Sequence, residues 1–144
     1  MKKCILVLLV CVTICSCNNR NKDKMDGTSV SPEMVITDST TVQIIDSAYN
    51  YGKVTEGEKV EYNFRFKNTG SKPLVIVKAS SSCGCTVPEK PEKPIMPGEI
   101  GFIKVVFDSK GKVGITNKAI SVISNANPPF TELFLTGEVL PKEK

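Results

Sequence analysis

Two cysteines one residue apart, Cys83-Gly84-Cys85, followed by Thr86, are the part of the chain best equipped for chemistry. In an extended chain, residues two apart point to the same side. Cys83 and Cys85 then share a face, with α-carbons roughly 6.5 Å apart, near the long end of the range for a disulfide. Gly84 has no β-carbon and can take a positive φ that draws the thiols together. Three readings are open to such a pair. A disulfide spanning one residue is strained and easily reduced, and so redox-active. Two thiolates can hold a soft ion such as Cu(I), with the thioether of Met96 as a candidate third donor. In the third reading the cysteines only pack, as small apolar side chains in a tight turn.

The remaining residues offer little to build an enzyme around. The chain contains no histidine. That removes Ser-His and Cys-His nucleophile pairs and the imidazole ligands of a blue-copper site. No glycine-rich phosphate loop is present. Structural zinc takes four Cys or His ligands, and away from the N-terminus only Cys83 and Cys85 remain. Glu56, Glu58 and Glu61 gather near one strand start, where a solvated surface accounts for them. The expectation is no catalytic residue and no cofactor.

The other four cysteines belong to a different story. Met1-Lys2-Lys3 is a basic start, and Ile5 to Ile14 is an almost unbroken apolar run. Ten residues are too few for a bilayer core that needs about 20, but they suit the core of a secretory signal. Ile14-Cys15-Ser16-Cys17 resembles a bacterial lipobox, with Cys17 as the lipid attachment site. Cys15 is a poorer site, because Ile14 would then stand at the cleaved bond. The reading is a lipoprotein signal peptide over 1–16, a flexible tether over 17–40 and one domain over 41–141. Loss of Lys2 and Lys3 leaves 17 basic and 15 acidic residues, a formal net of +2. An exported chain of that charge is no nucleic-acid binder. Outside the cytoplasm disulfides persist, and with no third strong ligand evident a disulfide is expected at Cys83 and Cys85 ahead of a metal.

The tether is polar, with Gly27 and Pro32 and no sustained period. Asn18-Asn19-Arg20 lacks the acidic cluster of some surface-exported lipoproteins, which points to the periplasmic side. Asp38-Ser39-Thr40 and Asp46-Ser47-Ala48 resemble O-glycosylation sites, with Ser39 and Ser47 as acceptors. Three-residue matches arise often by chance, and plain linker and strand residues are the favoured explanation.

The elements that must position the cysteines are strands. Lys59 to Lys67 alternates strictly, with Val60, Tyr62, Phe64 and Phe66 on the core side. Val42–Asp46, Leu74–Val77, Ile100–Phe107, Ile115–Ser124 and Phe130–Val139 read as further strands, with turn signals between them. Ile103, Val105 and Phe107 share one face, as do Leu133, Leu135 and Val139. Prolines 88, 91, 94 and 97 mark an irregular crossing after the cysteines. About seven strands at regular spacing predict an all-β fold, an antiparallel immunoglobulin-like β-sandwich with Greek-key connections.

Several short runs occur together: Tyr51-Gly52-Lys53-Val54, Phe66-Lys67-Asn68-Thr69-Gly70, Cys83-Gly84-Cys85-Thr86, Pro97-Gly98-Glu99, Ser124-Asn125 and Gly137-Glu138-Val139. In this combination, over about residues 41 to 139, the chain resembles a bacterial domain-of-unknown-function family of exported immunoglobulin-like proteins, many of them lipoproteins. That family is similar to the sandwich domains of abnormal-spindle, hydin and major sperm proteins. The resemblance implies the fold and no established activity.

Two functions from different classes follow. One is a non-catalytic module, anchored by an N-terminal lipid to a bacterial membrane, facing the periplasm, that binds an envelope protein or glycan through loops or an edge strand. The other is a thiol module using Cys83-Gly84-Cys85 for redox exchange or Cu(I).

Overall fold

The computed structural model describes residues 38–143. Cys17, the signal sequence and most of the tether lie outside them. Eight strands follow in chain order: β1 (Val42–Ile44), β2 (Ala48–Thr55), β3 (Lys59–Asn68), β4 (Ile76–Ser81), β5 (Thr86–Glu89), β6 (Ile100–Asp108), β7 (Gly114–Ser124) and β8 (Leu133–Leu140). They form two four-stranded sheets, ordered β1-β3-β6-β5 and β2-β8-β7-β4. This is an immunoglobulin-like sandwich, with its first strand divided between the two sheets.

The core forms where alternation puts it. Val60, Phe64 and Phe66 of β3 face Ile103, Val105 and Phe107 of β6, and all six are buried. Leu133, Leu135 and Val139 of β8, with Ile120 and Val122 of β7, close the layer from the other sheet. Gly101 lies beneath the Phe66 ring, and a β-carbon there would collide with it.

Three expectations need correction. Ala48–Thr55 is a strand that the alternation did not reveal. Tyr49 and Tyr51 face inward, but a bulge between Asn50 and Lys53 moves the next inward residue to Val54 instead of Lys53. Gly52 takes a φ of 73° at that bulge. Second, β2 pairs in parallel with β8, so the sandwich is not wholly antiparallel. The chain crosses between sheets at Asp46-Ser47, and β2 therefore meets β8 running in the same direction. The crossing is pinned by Arg65. Its carbonyl accepts the amides of both Ile45 and Asp46, and its guanidinium grips the Asp46 carboxylate at 2.7 and 2.9 Å. These hydrogen bonds hold the Asp46 carboxyl below its ordinary pKa, against the opposing effect of burial. Third, the proline-rich crossing contains a strand, with Pro88 inside β5. Cys85, odd-numbered, turns its carbonyl to the amide of Asp108 on β6 (2.9 Å), so Pro88 turns its nitrogen to the open edge. There a missing N–H costs no ladder bond.

The two ends of the sandwich are tied by buried polar side chains. At one end Asn68 is fully buried. Its amide donates to the carbonyls of Lys72 (2.8 Å) and Ile95 (2.9 Å), and its oxygen accepts from Thr40 Oγ1 (3.0 Å) and the Gly70 amide (3.1 Å). Asn125 donates to the carbonyls of Asp38 and Pro73 and accepts from the Val75 amide. Thr40, assigned to the tether from sequence, is buried here. At the other end Ser109 accepts from the Gly57 amide (2.9 Å) and donates to the Glu58 carbonyl (2.7 Å).

Candidate functional site at the inter-sheet turn

Residues 82–85 carry the chain from the end of β4 in one sheet to the start of β5 in the other. They are not extended. The Thr86 amide donates to the Cys83 carbonyl at 3.1 Å, which closes a four-residue turn. The turn brings the α-carbons of Cys83 and Cys85 to 5.3 Å, and the sulfurs are bonded to each other. The Cys85 amide also lies 3.3 Å from Cys83 Sγ. Gly84 does not adopt the positive φ anticipated for it. The turn itself shortens the span, and Gly84 sits at its exposed tip with open space around it.

Both cysteines are half-buried, and Cys85 packs against the hydrophobic core. The preceding strand ends at Ser81, whose hydroxyl is buried without a hydrogen-bond partner among the described residues. The strand entering the turn is longer than the sequence suggested: it runs to Ser81, while Leu74 forms only an isolated bridge with Ile95.

As arranged, the pair can accept two electrons and two protons and open to two thiols. Only the opened form offers sulfur to a soft ion. The structure removes Met96 from such a site. Met96 precedes the Gly98 amide that bonds to the Asn68 carbonyl, at the start of β6, whereas Cys85 meets Asp108 at the end of β6. The eight residue steps between Ile100 and Asp108 put these ends about 26 Å apart. No group of three or more His, Cys, Asp or Glu side chains converges among the described residues.

Ser39 and Ser47 are both exposed. The Ser47 carbonyl accepts the Phe134 amide, which fixes its backbone beside β8. They lie in different strand-flanking segments and build no common site with the cysteines.

Sequence reasoning missed a second surface feature. A shallow groove of about 470 Å³ lies on the outer face of the second sheet, bordered by Asn50, Lys53, Ile115, Asn117, Thr136 and Glu138. Its residues come from β2, β8 and β7, and the parallel pairing that juxtaposes them was not legible in the chain.

Two sheets in this order, with the first strand shared between them, define an immunoglobulin-like β-sandwich domain. Solved structures agree. A protein of unknown function from Porphyromonas gingivalis W83 is 16% identical with a TM-score of 0.60, over 74% of this chain and 50% of that one. The ASH/PapD-like domain 7 of human CEP192 is 15% identical with a TM-score of 0.55, over 73% of this chain and 89% of that one. The VesB protease of Vibrio cholerae is 15% identical with a TM-score of 0.52, over 72% of this chain and 32% of that one. The chain thus spans half of the Porphyromonas gingivalis protein and a third of VesB, and identities this low show the fold alone. No curated protein matches the sequence. The family described as "Protein of unknown function (DUF1573)" matches residues 42–139, and the chain belongs to that family.

Proposed function

We propose that this chain is a non-catalytic binding module of the bacterial cell envelope, anchored by lipid at Cys17 and facing the periplasm. One observation carries the binding role. Ile100 and Phe102 occupy outward positions of β6, where alternation calls for polar residues, and each is about half exposed (49% and 50%). Phe102 stands opposite Arg65 on β3, and β5 reaches β6 only as far as Lys104. A large apolar pair left open on an ordered sheet is a common mark of a protein–protein contact. The partner class is an envelope protein, with a glycan as the alternative.

The test joins location to binding. Cys17→Ser should move the mature chain from the membrane to the soluble periplasmic fraction and remove the lipid mass. Material crosslinked to the wild-type chain in envelopes should be lost with Phe102→Ser. Unchanged membrane retention overturns the anchor, and unchanged crosslinking overturns the Ile100–Phe102 surface.

A second reading has its own support in the closed turn at Cys83–Cys85: a thiol module that exchanges electrons or takes up Cu(I) after reduction. Replacing both cysteines with serine separates the two. Partner binding that survives, with copper uptake and redox response abolished, moves the function to the turn.

A further inference from the structure

The sheet edges are unequally protected. An edge strand exposes a row of free backbone donors and acceptors, and natural sheets usually block it. Edge strand β1 has only three residues. The β2 edge is broken by the bulge at Gly52. Edge strand β4 carries a register shift between Ile76 and Lys78. Pro88 removes a donor from the β5 edge, and Ile95 packs beside Gly101 where β5 falls short of β6.

The first half of β7 has no such guard among the described residues. It pairs with β8 on one side from Gly114 to Ile120. On the other side β4 reaches only as far as Ile120, opposite Ser81, because the chain then leaves for the cysteine turn. The free groups can be assigned by parity. The Asn125 amide donates to the Val75 carbonyl, so odd-numbered residues of this strand point their backbone toward the β4 side. Ile115 and Asn117 therefore direct their N–H and C=O groups into the unoccupied side. Their side chains are exposed, Ile115 at 92%.

The charge around this edge has one sign to spare. Lys110 and Lys112 precede β7 and Lys118 lies on it; none forms an ion pair among the described residues, though the Lys118 ammonium rests 5.7 Å over the Phe107 ring. Asp108 accepts the Lys110 amide and Glu56 the Gly111 amide, which fixes these carboxylates without cancelling their charge, so the three lysines exceed them by one; Glu138, opposite Ile115, is paired with Lys53.

We propose that the free edge of β7 from Ile115 to Ala119 is a strand-addition site for an extended, acidic segment of a partner protein, with β-branched residues at alternate positions. The incoming strand bonds to the backbone of Ile115 and Asn117, sets an apolar side chain beside Ile115 and places its carboxylates near the three lysines. It extends the second sheet where β4 stops. This deepens the reading of the chain as a binding module and is independent of the anchor and of the Ile100–Phe102 surface.

A fluorescent ten-residue peptide alternating valine and glutamate tests the site, against a valine–lysine counterpart, with the full chain in detergent. Anisotropy should give at least tenfold tighter binding for the glutamate peptide. Hydrogen exchange at the Ile115 and Asn117 amides should slow at least tenfold on saturation, while the Thr116 and Lys118 amides, turned to β8, stay as they were. Asn117→Pro removes a free-edge donor and no ladder bond, and should weaken binding at least tenfold. Ile115→Glu, which leaves the backbone intact, should do the same through charge. Equal binding of the two peptides, or unchanged exchange at Ile115 and Asn117, overturns the proposal. So does concentration-dependent protection of these amides without peptide, together with a dimer in sedimentation, which makes the occupant a second copy of the chain.

Discussion

Phe64→Ala is the sharpest test of the architecture. Phe64 lies on β3, which is flanked by β1 and β6, and its side chain is fully buried opposite Ile103. Its ring also meets Tyr62 edge-on, with centroids 4.9 Å apart. Three terms add up. An aromatic side chain of this kind buries about 150–250 Å², most of which alanine forfeits. At about 25 cal/mol per Å² that is roughly 4–6 kcal/mol, of which about a quarter is recovered by what the alanine methyl still buries, leaving roughly 3–5 kcal/mol. The edge-on pair with Tyr62 contributes about 0.5–1.5 kcal/mol more. Relaxation around the cavity offsets part of this, and measured Phe→Ala changes in cores fall at about 3–5 kcal/mol. The expected loss is therefore about 4 kcal/mol, a large share of the roughly 5–15 kcal/mol that holds a domain of this size. Urea unfolding of wild type and variant, followed by circular dichroism and extrapolated with a shared slope, measures it. A loss below about 1 kcal/mol would mean that β3 is not in the centre of its sheet or that Phe64 does not face the core.

Three further outcomes are expected. Asp46 has a lowered pKa in the folded state, so its contribution is complete above the unfolded value near 3.8 and is lost as pH falls through the folded value; the stability advantage of wild type over Asp46→Asn should be flat at neutral pH and vanish in strong acid, and an advantage that grows on acidification refutes the role of Arg65. Asn68→Ala leaves the Lys72 carbonyl without its partner, while the Ile95 carbonyl keeps the Leu74 amide and the Gly70 amide keeps the Thr41 carbonyl; it should lower stability by about 1–3 kcal/mol in the same urea assay, whereas a change within about 0.5 kcal/mol would show that water replaces the amide without loss. Replacing Cys83 and Cys85 together with serine should cost only about 1–2 kcal/mol, since a loop this short restricts the unfolded chain little, and failure to fold would make the turn a structural staple.

The strict alternation in β3, and the shared faces of Ile103, Val105 and Phe107, determine a sandwich core without reference to any neighbour. A period of two assigns each side chain to a face by covalent geometry alone. The same rule fails at β2, because the bulge at Gly52 shifts the phase between Tyr51 and Val54, and only pairing with β8 reveals a strand there. Pro88 read as a breaker because prolines cannot donate, but β5 is an edge, and its outward nitrogen has nothing to donate to. Asn68 and Asn125 stand in turn-like runs of the sequence, and nothing in the sequence singles out Ser109. Their partners lie as much as 87 positions away in sequence, and whether an amide caps its own turn or ties distant loops together is set by what folds around it. At Cys83 and Cys85 the spacing alone put both thiols within reach of each other. That they sit on the crossing between sheets, remote from Met96, and that β4 leaves half of β7 unpaired on the way there, depends on where two sheets meet. Contacts so distant in sequence arise only when the whole chain has packed.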